Sequence, residues 1–296
     1  MSTATSVFMR QPWFNLIALF IVMGGIALGH TTIILQWKIT GGYSLLDTLV
    51  SLVIGAAGVT LVWRGLKQPE LPATLMGYLG GNLIWLGFFE WTWHAFGYWL
   101  GLEPVTDNGM EILAPGLQVI QVTSILVIAM LIFLGSNKDT RCRMFMWFHR
   151  NLKIRPGQMT PGYKRQFSRI TAMETVFLIW MIYIFAITIN DPRLIRYDSP
   201  TAIALTVGFL VWGLYLAAKL LKVRTPGAAF RYAIATGSIL WLPTEAFSYW
   251  GIYPEVWIRP TEFPLLMATV ALLFLAALGM AWRSTRDGAG AEAQHA

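Results

Sequence analysis

The chain reads as an all-α integral membrane protein with about eight transmembrane helices in two parallel four-helix repeats. Three observations predict this. Hydrophobic residues make up 56% of the 296 positions and charged residues only 12%, against about 25% charged in a soluble domain, and mean hydropathy is +0.56. Apolar stretches long enough to cross about 30 Å of hydrocarbon recur along the whole chain. One aromatic motif is written twice, as GNLIWLGFFEWTWHAFGYW at 81–99 and GSILWLPTEAFSYW at 237–250.

The spans are justified in order. The first, near 13–36, follows Met1 to Gln11 with no small-residue cleavage pattern behind it, so it reads as a retained span and not a signal peptide. The second, 43–63, is entered from the outer side with Asp47 a few residues in, and the third, 74–101, ends in the first copy of the motif. A fourth apolar run at 114–135 leads into a basic stretch, RCRMFMWFHRNLKIRPGQMTPGYKRQFSR. Part of that stretch, 141–153, alternates basic and apolar residues at helical spacing; it reads either as an interfacial helix or as a solvated loop that sets topology. Spans at 171–190, 200–221, 228–250 and 262–282 complete the count, the seventh ending in the second copy of the motif. Four spans per half is an even number, so both halves run in the same direction. Residues 1–136 are thus the first repeat, 137–170 a basic cytoplasmic connection, 171–283 the second repeat and 284–296 a small, polar tail expected to be disordered.

Charge gives the orientation. With both termini cytoplasmic, 18 Lys and Arg fall inside and only 4 (Lys38, Arg193, Arg196 and Arg259) outside. The net charge of +7 is then a topology signal and gives no reason to expect nucleic acid as a partner. The expected location is a bacterial-type inner membrane. With a single cysteine, Cys142, neither an internal disulfide nor a cysteine metal cluster can form.

Trp85 aligns with Trp241 at an offset of 156, but Phe96 to Trp99 align with Phe247 to Trp250 at 151, so the second copy lacks about five residues. Each copy carries a carboxylate, Glu90 or Glu245, at a depth where lipid penalises it, which marks both as functional candidates. At about 1.5 Å rise per residue, His30, Glu90 and Glu245 all lie roughly 24–25 Å along their spans. Asp47 sits at a similar level, and His94 shares a helix face with Glu90 at i, i+4. His30, Glu90, His94 and Glu245 are therefore candidate metal ligands, an N/O set that suits copper(II), zinc or iron. Asp47, Glu90 and Glu245 are candidate proton-relay groups. A structural alternative has Glu90 and Glu245 accepting hydrogen bonds from tryptophan N–H groups or pairing with Arg259. Trp85, Trp91, Trp99, Trp241, Tyr249 and Trp250 read either as an interfacial aromatic belt or as the walls of a cavity for a small apolar molecule. Gly87 and Pro243 could loosen the two helices just before the glutamates. Haem is a further option through the paired histidines, though neither stands in a haem-binding sequence context.

From Trp13 to Ser136 the chain resembles the A-type subunit of the membrane-bound copper monooxygenases that oxidise methane or ammonia. The resemblance rests on a Gly-rich stretch before His30, a basic inner turn, Glu90-Trp91 followed by Phe96 and Trp99, and Pro115-Gly116 opening the next span. It implies a subunit of a copper-associated redox complex with other membrane or periplasmic subunits as partners. In that family the equivalents of His30 and Glu90 lie near the outer face. The family's A subunit is not an evident tandem repeat, and its Asp/His/His copper site belongs to a different subunit, so none of those ligands maps onto this chain. Two other classes stay open: a proton-linked transporter, and a non-catalytic anchor or interaction subunit.

Overall fold

The computed structural model describes residues 12–135, 139, 146, 150–153 and 157–294. Helix α1, Trp13–Thr40, is followed by α2, Leu45–Gly65, and α3, Glu70–Ile84. The third helix does not stop there: Trp85–Glu90 winds as a π-helix and Trp91–Trp99 returns to α geometry as α4. A two-stranded antiparallel hairpin follows, β1 Val105–Asp107 with β2 Met110–Leu113. Asn108 and Gly109 both have positive φ at its tip, the backbone that an Asn-Gly hairpin turn requires. Next come α5, Pro115–Val122, and α6, Ser124–Gly135, then α7, Phe167–Asn190, α8, Pro200–Leu220, α9, Pro226–Tyr249, and α10, Pro264–Gln294.

Among the described residues five helices are long and apolar enough to cross a membrane: α1, α2, α7, α8 and the Pro264–Ser284 part of α10. The other three expected spans differ for local reasons. The third is divided by the π segment, the fourth breaks at Thr123 into two short helices, and the seventh is diluted by Arg231, Pro243 and Glu245. The segment expected as a tail continues α10 as far as Gln294. The interfacial helix expected over 141–153, with Cys142 and His149, falls almost wholly outside the described residues, and His295 lies outside them.

The surface, and not only the core, is apolar. Long apolar side chains such as Val53, Val211, Leu265 and Leu275 are exposed, while Asn15, Asp47, Thr74, Ser168 and Thr171 are buried. Helix α7 is central, with 61% of its apolar window buried, whereas α8 and α10 bury only 17% and present the rest outward. Such a surface fits a lipid environment, where apolar exposure carries no cost.

Helix α3 packs mainly on α2 and α7, and α9 packs mainly on α8 and α1. Small residues permit the close approaches. Gly81 on α3 lies against Ala172 and Thr175 of α7, and Gly237 on α9 lies against Leu19 and Val22 of α1. Two buried side chains tie the helix ends opposite the hairpin. Asn15 on α1 donates to the Leu220 carbonyl at the end of α8 at 2.8 Å, and Ser168 on α7 donates to Val62 O near the end of α2 at 2.9 Å. Both satisfy carbonyls that a helix C-terminus leaves without an intrahelical partner.

Candidate functional site

The π segment sets the position of Glu90. In an α-helix, residues five apart point in well-separated directions, but the wider π turn brings them onto one face. The Trp85 indole consequently donates to Glu90 Oε2 at 2.7 Å. On α9 the corresponding pair, Trp241 and Glu245, is four apart and needs no widening; its bond is 2.5 Å. Both glutamates therefore accept a tryptophan N–H, as the structural alternative had it. Gly87, expected to open the helix toward a cavity, instead lies against the α2 backbone at Ser51 and Gly55.

A continuous row of polar contacts links the two glutamates. The Tyr183 hydroxyl, on α7, donates to Glu90 Oε1 at 2.8 Å and lies 3.4 Å from His30 Nδ1. On its other side the His30 ring places Nε2 3.4 Å from Glu245 Oε1 and stacks on Trp241, with ring centroids 6.0 Å apart. The donor count fixes part of the proton arrangement. The single Tyr183 proton goes to Glu90, so the tyrosine oxygen is free to accept from His30 Nδ1–H. The His30–Glu245 contact is then attractive only when a proton resides between Nε2 and the carboxyl. That proton sits at one end of a row of polar groups that joins carboxyl groups from opposite halves of the sequence.

This row forms the polar wall of a cavity of about 620 Å³ at the hairpin end of the bundle, a volume typical of small-molecule sites. His30, Glu90, His94 and Glu245 all line it. His94 is 7% exposed and packs its ring on Trp37, with centroids 5.1 Å apart. Gly116 of α5 lies against the same ring, where a side chain would collide with it. The roof consists of β2 and the loop from Tyr253 to Arg259. There, burial first and the charge of Glu245 second push the Glu255 carboxyl up to about 7.

Other expected site residues lie elsewhere. Asp47 does not line the cavity: it is fully buried between α1, α2 and α4, accepting from Gln36, Thr40 and Trp91 at 2.8, 2.8 and 2.6 Å. Of the six candidate wall aromatics only Tyr249 faces the cavity. Trp85 and Trp241 stand behind their glutamates, and Trp91 holds Asp47. Trp250 donates to Tyr197 O at 2.9 Å, and Trp99 is 53% exposed. The walls come instead from Trp37, Tyr183, Tyr253 and Trp257. Tyr183 carries no signal in the sequence, since a tyrosine in an apolar span is unremarkable, whereas Asn108-Gly109 is a sequence signal for the hairpin that roofs the cavity.

Among the described residues no group of three or more His, Cys, Asp or Glu side chains is placed to hold a metal ion. Tyr183 stands between Glu90 and His30, and Glu245 is already held by Trp241 and His30. As they stand, these side chains do not converge in the way a transition-metal centre requires. No protein-family model, curated protein or solved structure matches the chain.

Proposed function

We propose that this is an eight-span membrane protein of two parallel four-span repeats that works as a proton-linked carrier. Its ligand is a small, largely apolar molecule bound between the halves at the hairpin end. The observation that carries this reading is the chain Glu90–Tyr183–His30–Glu245, which crosses between the halves and lines the cavity. A proton can pass along it if each group releases one as it accepts another. Intramembrane carboxyl and histidine groups at a repeat interface are the usual equipment of proton-coupled carriers.

Matched contacts support the repeat. His30 and Tyr183 are 153 residues apart, and the same offset relates Asn15 to Ser168 and the pair Leu19 and Val22 to Ala172 and Thr175. Each pair makes the corresponding contact with the other half: a helix-end carbonyl for Asn15 and Ser168, the motif glycine for the others. The N-cap serines of α2 and α8, Ser44 and Ser199, each accept from the backbone N–H three residues on. On this reading the five residues missing from the second copy are one π-helix residue plus one α-helical turn, Trp91 to His94, so His94 belongs to the first half alone.

The excess of basic residues at the opposite end makes the hairpin end extracytoplasmic and both termini cytoplasmic. In that orientation Cys142, the only cysteine, is shielded from a membrane-impermeant maleimide added to intact cells. Proton linkage is tested in liposomes loaded with a pH-sensitive dye, with a potassium diffusion potential driving protons inward. The wild-type protein should acidify the lumen faster than the Glu90→Gln/Glu245→Gln variant. Equal rates in the two, both at the level of empty liposomes, would refute proton linkage.

A further inference from the structure

The cavity has an unusual charge balance for its depth. Glu90, Glu111, Glu245 and Glu255 line it, and its one Arg or Lys among the described residues, Arg259, is 54% exposed and faces Glu262 at 3.9 Å. The carboxylates at membrane depth receive only neutral indole and phenol donors and the single imidazole of His30. Glu245 takes both of its contacts on Oε1, and Oε2 receives no hydrogen bond from the described residues. Buried carboxylates without a full counter-charge are costly. A positive ligand would offset that cost where a neutral one would not.

Two further features of the cavity point the same way. His94 is more than nine-tenths buried and lines the cavity. A neutral imidazole keeps one ring nitrogen as an acceptor, which a ligand N–H can meet. Trp37, Tyr249, Tyr253 and Trp257 supply aromatic rings to the same space, surfaces that attract cations through their π faces as well as apolar groups.

Resting on the reading of the cavity as a ligand site, we infer that its ligand is a small organic ammonium ion, a protonated amine on an aromatic or alicyclic body. The ammonium group faces the carboxylates of Glu245 and Glu255, an N–H is offered to His94, and the body packs on Trp37 and Trp257. Acidic groups of this number disfavour an anion, and the cavity is too polar on one side to be filled by a hydrocarbon alone.

Three probes on one three-carbon phenylalkyl frame test this on the full-length protein in detergent: 3-phenylpropan-1-amine in its protonated form, 3-phenylpropan-1-ol and 3-phenylpropionate. Binding is read by calorimetry and by quenching of tryptophan fluorescence. The amine should bind about tenfold more tightly than the alcohol, with the acid weakest. In Glu245→Gln the amine should fall to the affinity of the alcohol while the alcohol is unchanged. Glu255→Gln, in the loop, should show a smaller loss of the same kind and guards against misfolding of the first variant. Equal binding of amine and alcohol in the wild type, or preference for the acid, would overturn the cation assignment and leave the cavity as a site for another ligand class. Binding of none of the three would overturn the ligand site as well, while the liposome measurement reports separately on proton linkage.

Discussion

The indole of Trp85 is hydrogen-bonded to Glu90, five residues further along the same helix, at 2.7 Å. That spacing holds the carboxyl only because the backbone between them is π-helical, a form that costs helix regularity and recurs at functional sites. Glu90 has a second donor in Tyr183, so each oxygen is satisfied by a different element. Trp85→Phe and Tyr183→Phe should each destabilise by about 1–3 kcal/mol, because a buried acceptor loses one of two partners. Their effects should be non-additive, since both act on one carboxyl. Thermal unfolding of the two single variants and the double variant in the same detergent checks this; strict additivity would mean the two donors do not share a group.

Gly87 is a point of close backbone contact between the π segment and α2. A methyl group there would meet the backbone of Ser51 and Gly55, which cannot move aside as a flexible side chain can. Gly87→Ala should therefore cost about 1–3 kcal/mol or more through overpacking. Gly208 on α8 has open space around it, and Gly208→Ala should be neutral or stabilise by up to about 1 kcal/mol through helix propensity. Comparable losses in both variants would show that backbone freedom, and not close packing, governs these positions.

Glu255 gives a pH dependence with a definite sign. Its carboxyl is held up at about 7 in the folded chain against an ordinary value of 4.5, first by burial and then by Glu245, with Ser248, His30 and Arg259 acting in the opposite sense. A raised carboxyl binds its proton more tightly in the folded state, so between pH 4.5 and 7 folding stability falls as pH rises. Glu255→Gln removes that term. The variant should gain in melting temperature relative to wild type across this window and hold a constant advantage above it. A difference that is flat from pH 4 to 8, or that shrinks as pH rises, would be incompatible with the assignment.

Depth was legible in the sequence, and direction around each helix was not. Counting rise along apolar spans brought His30, Glu90 and Glu245 to one level because 1.5 Å per residue holds for any helix. The same count brought Asp47 to that level, but which way it points depends on the neighbours of α2, and those are set by tertiary packing. The duplicated motif exposed the helices that carry the two glutamates, whereas the helices that carry His30 and Tyr183 share too few residues to align by eye. Only the fold brings the Tyr183 hydroxyl against Glu90. Which aromatic rings face the cavity is hidden from the sequence for a similar reason. The tryptophans of the motif brace carboxylates or face outward, and the rings that line the cavity come from α1, α7, the end of α9 and the roof loop.

Asp47 separates a structural carboxylate from the cavity carboxylates. It is 0% exposed and joins three elements: Gln36 and Thr40 of α1, its own helix α2, and Trp91 of α4. All three partners are neutral donors, so Asp47→Ala leaves three buried polar groups without their acceptor, at a cost of about 1–3 kcal/mol for the first and less for any that find another. Asp47→Asn keeps one amide oxygen as an acceptor but turns an N–H₂ toward at least one donor, and should lie between Ala and wild type. Neither change touches the cavity wall. The surviving folded protein should therefore bind the amine probe with unchanged affinity and conduct protons at the wild-type rate per folded molecule, while its melting temperature drops. A loss of proton flux in Asp47→Asn without loss of stability would return Asp47 to the relay and break the assignment of that role to Glu90, Tyr183, His30 and Glu245 alone.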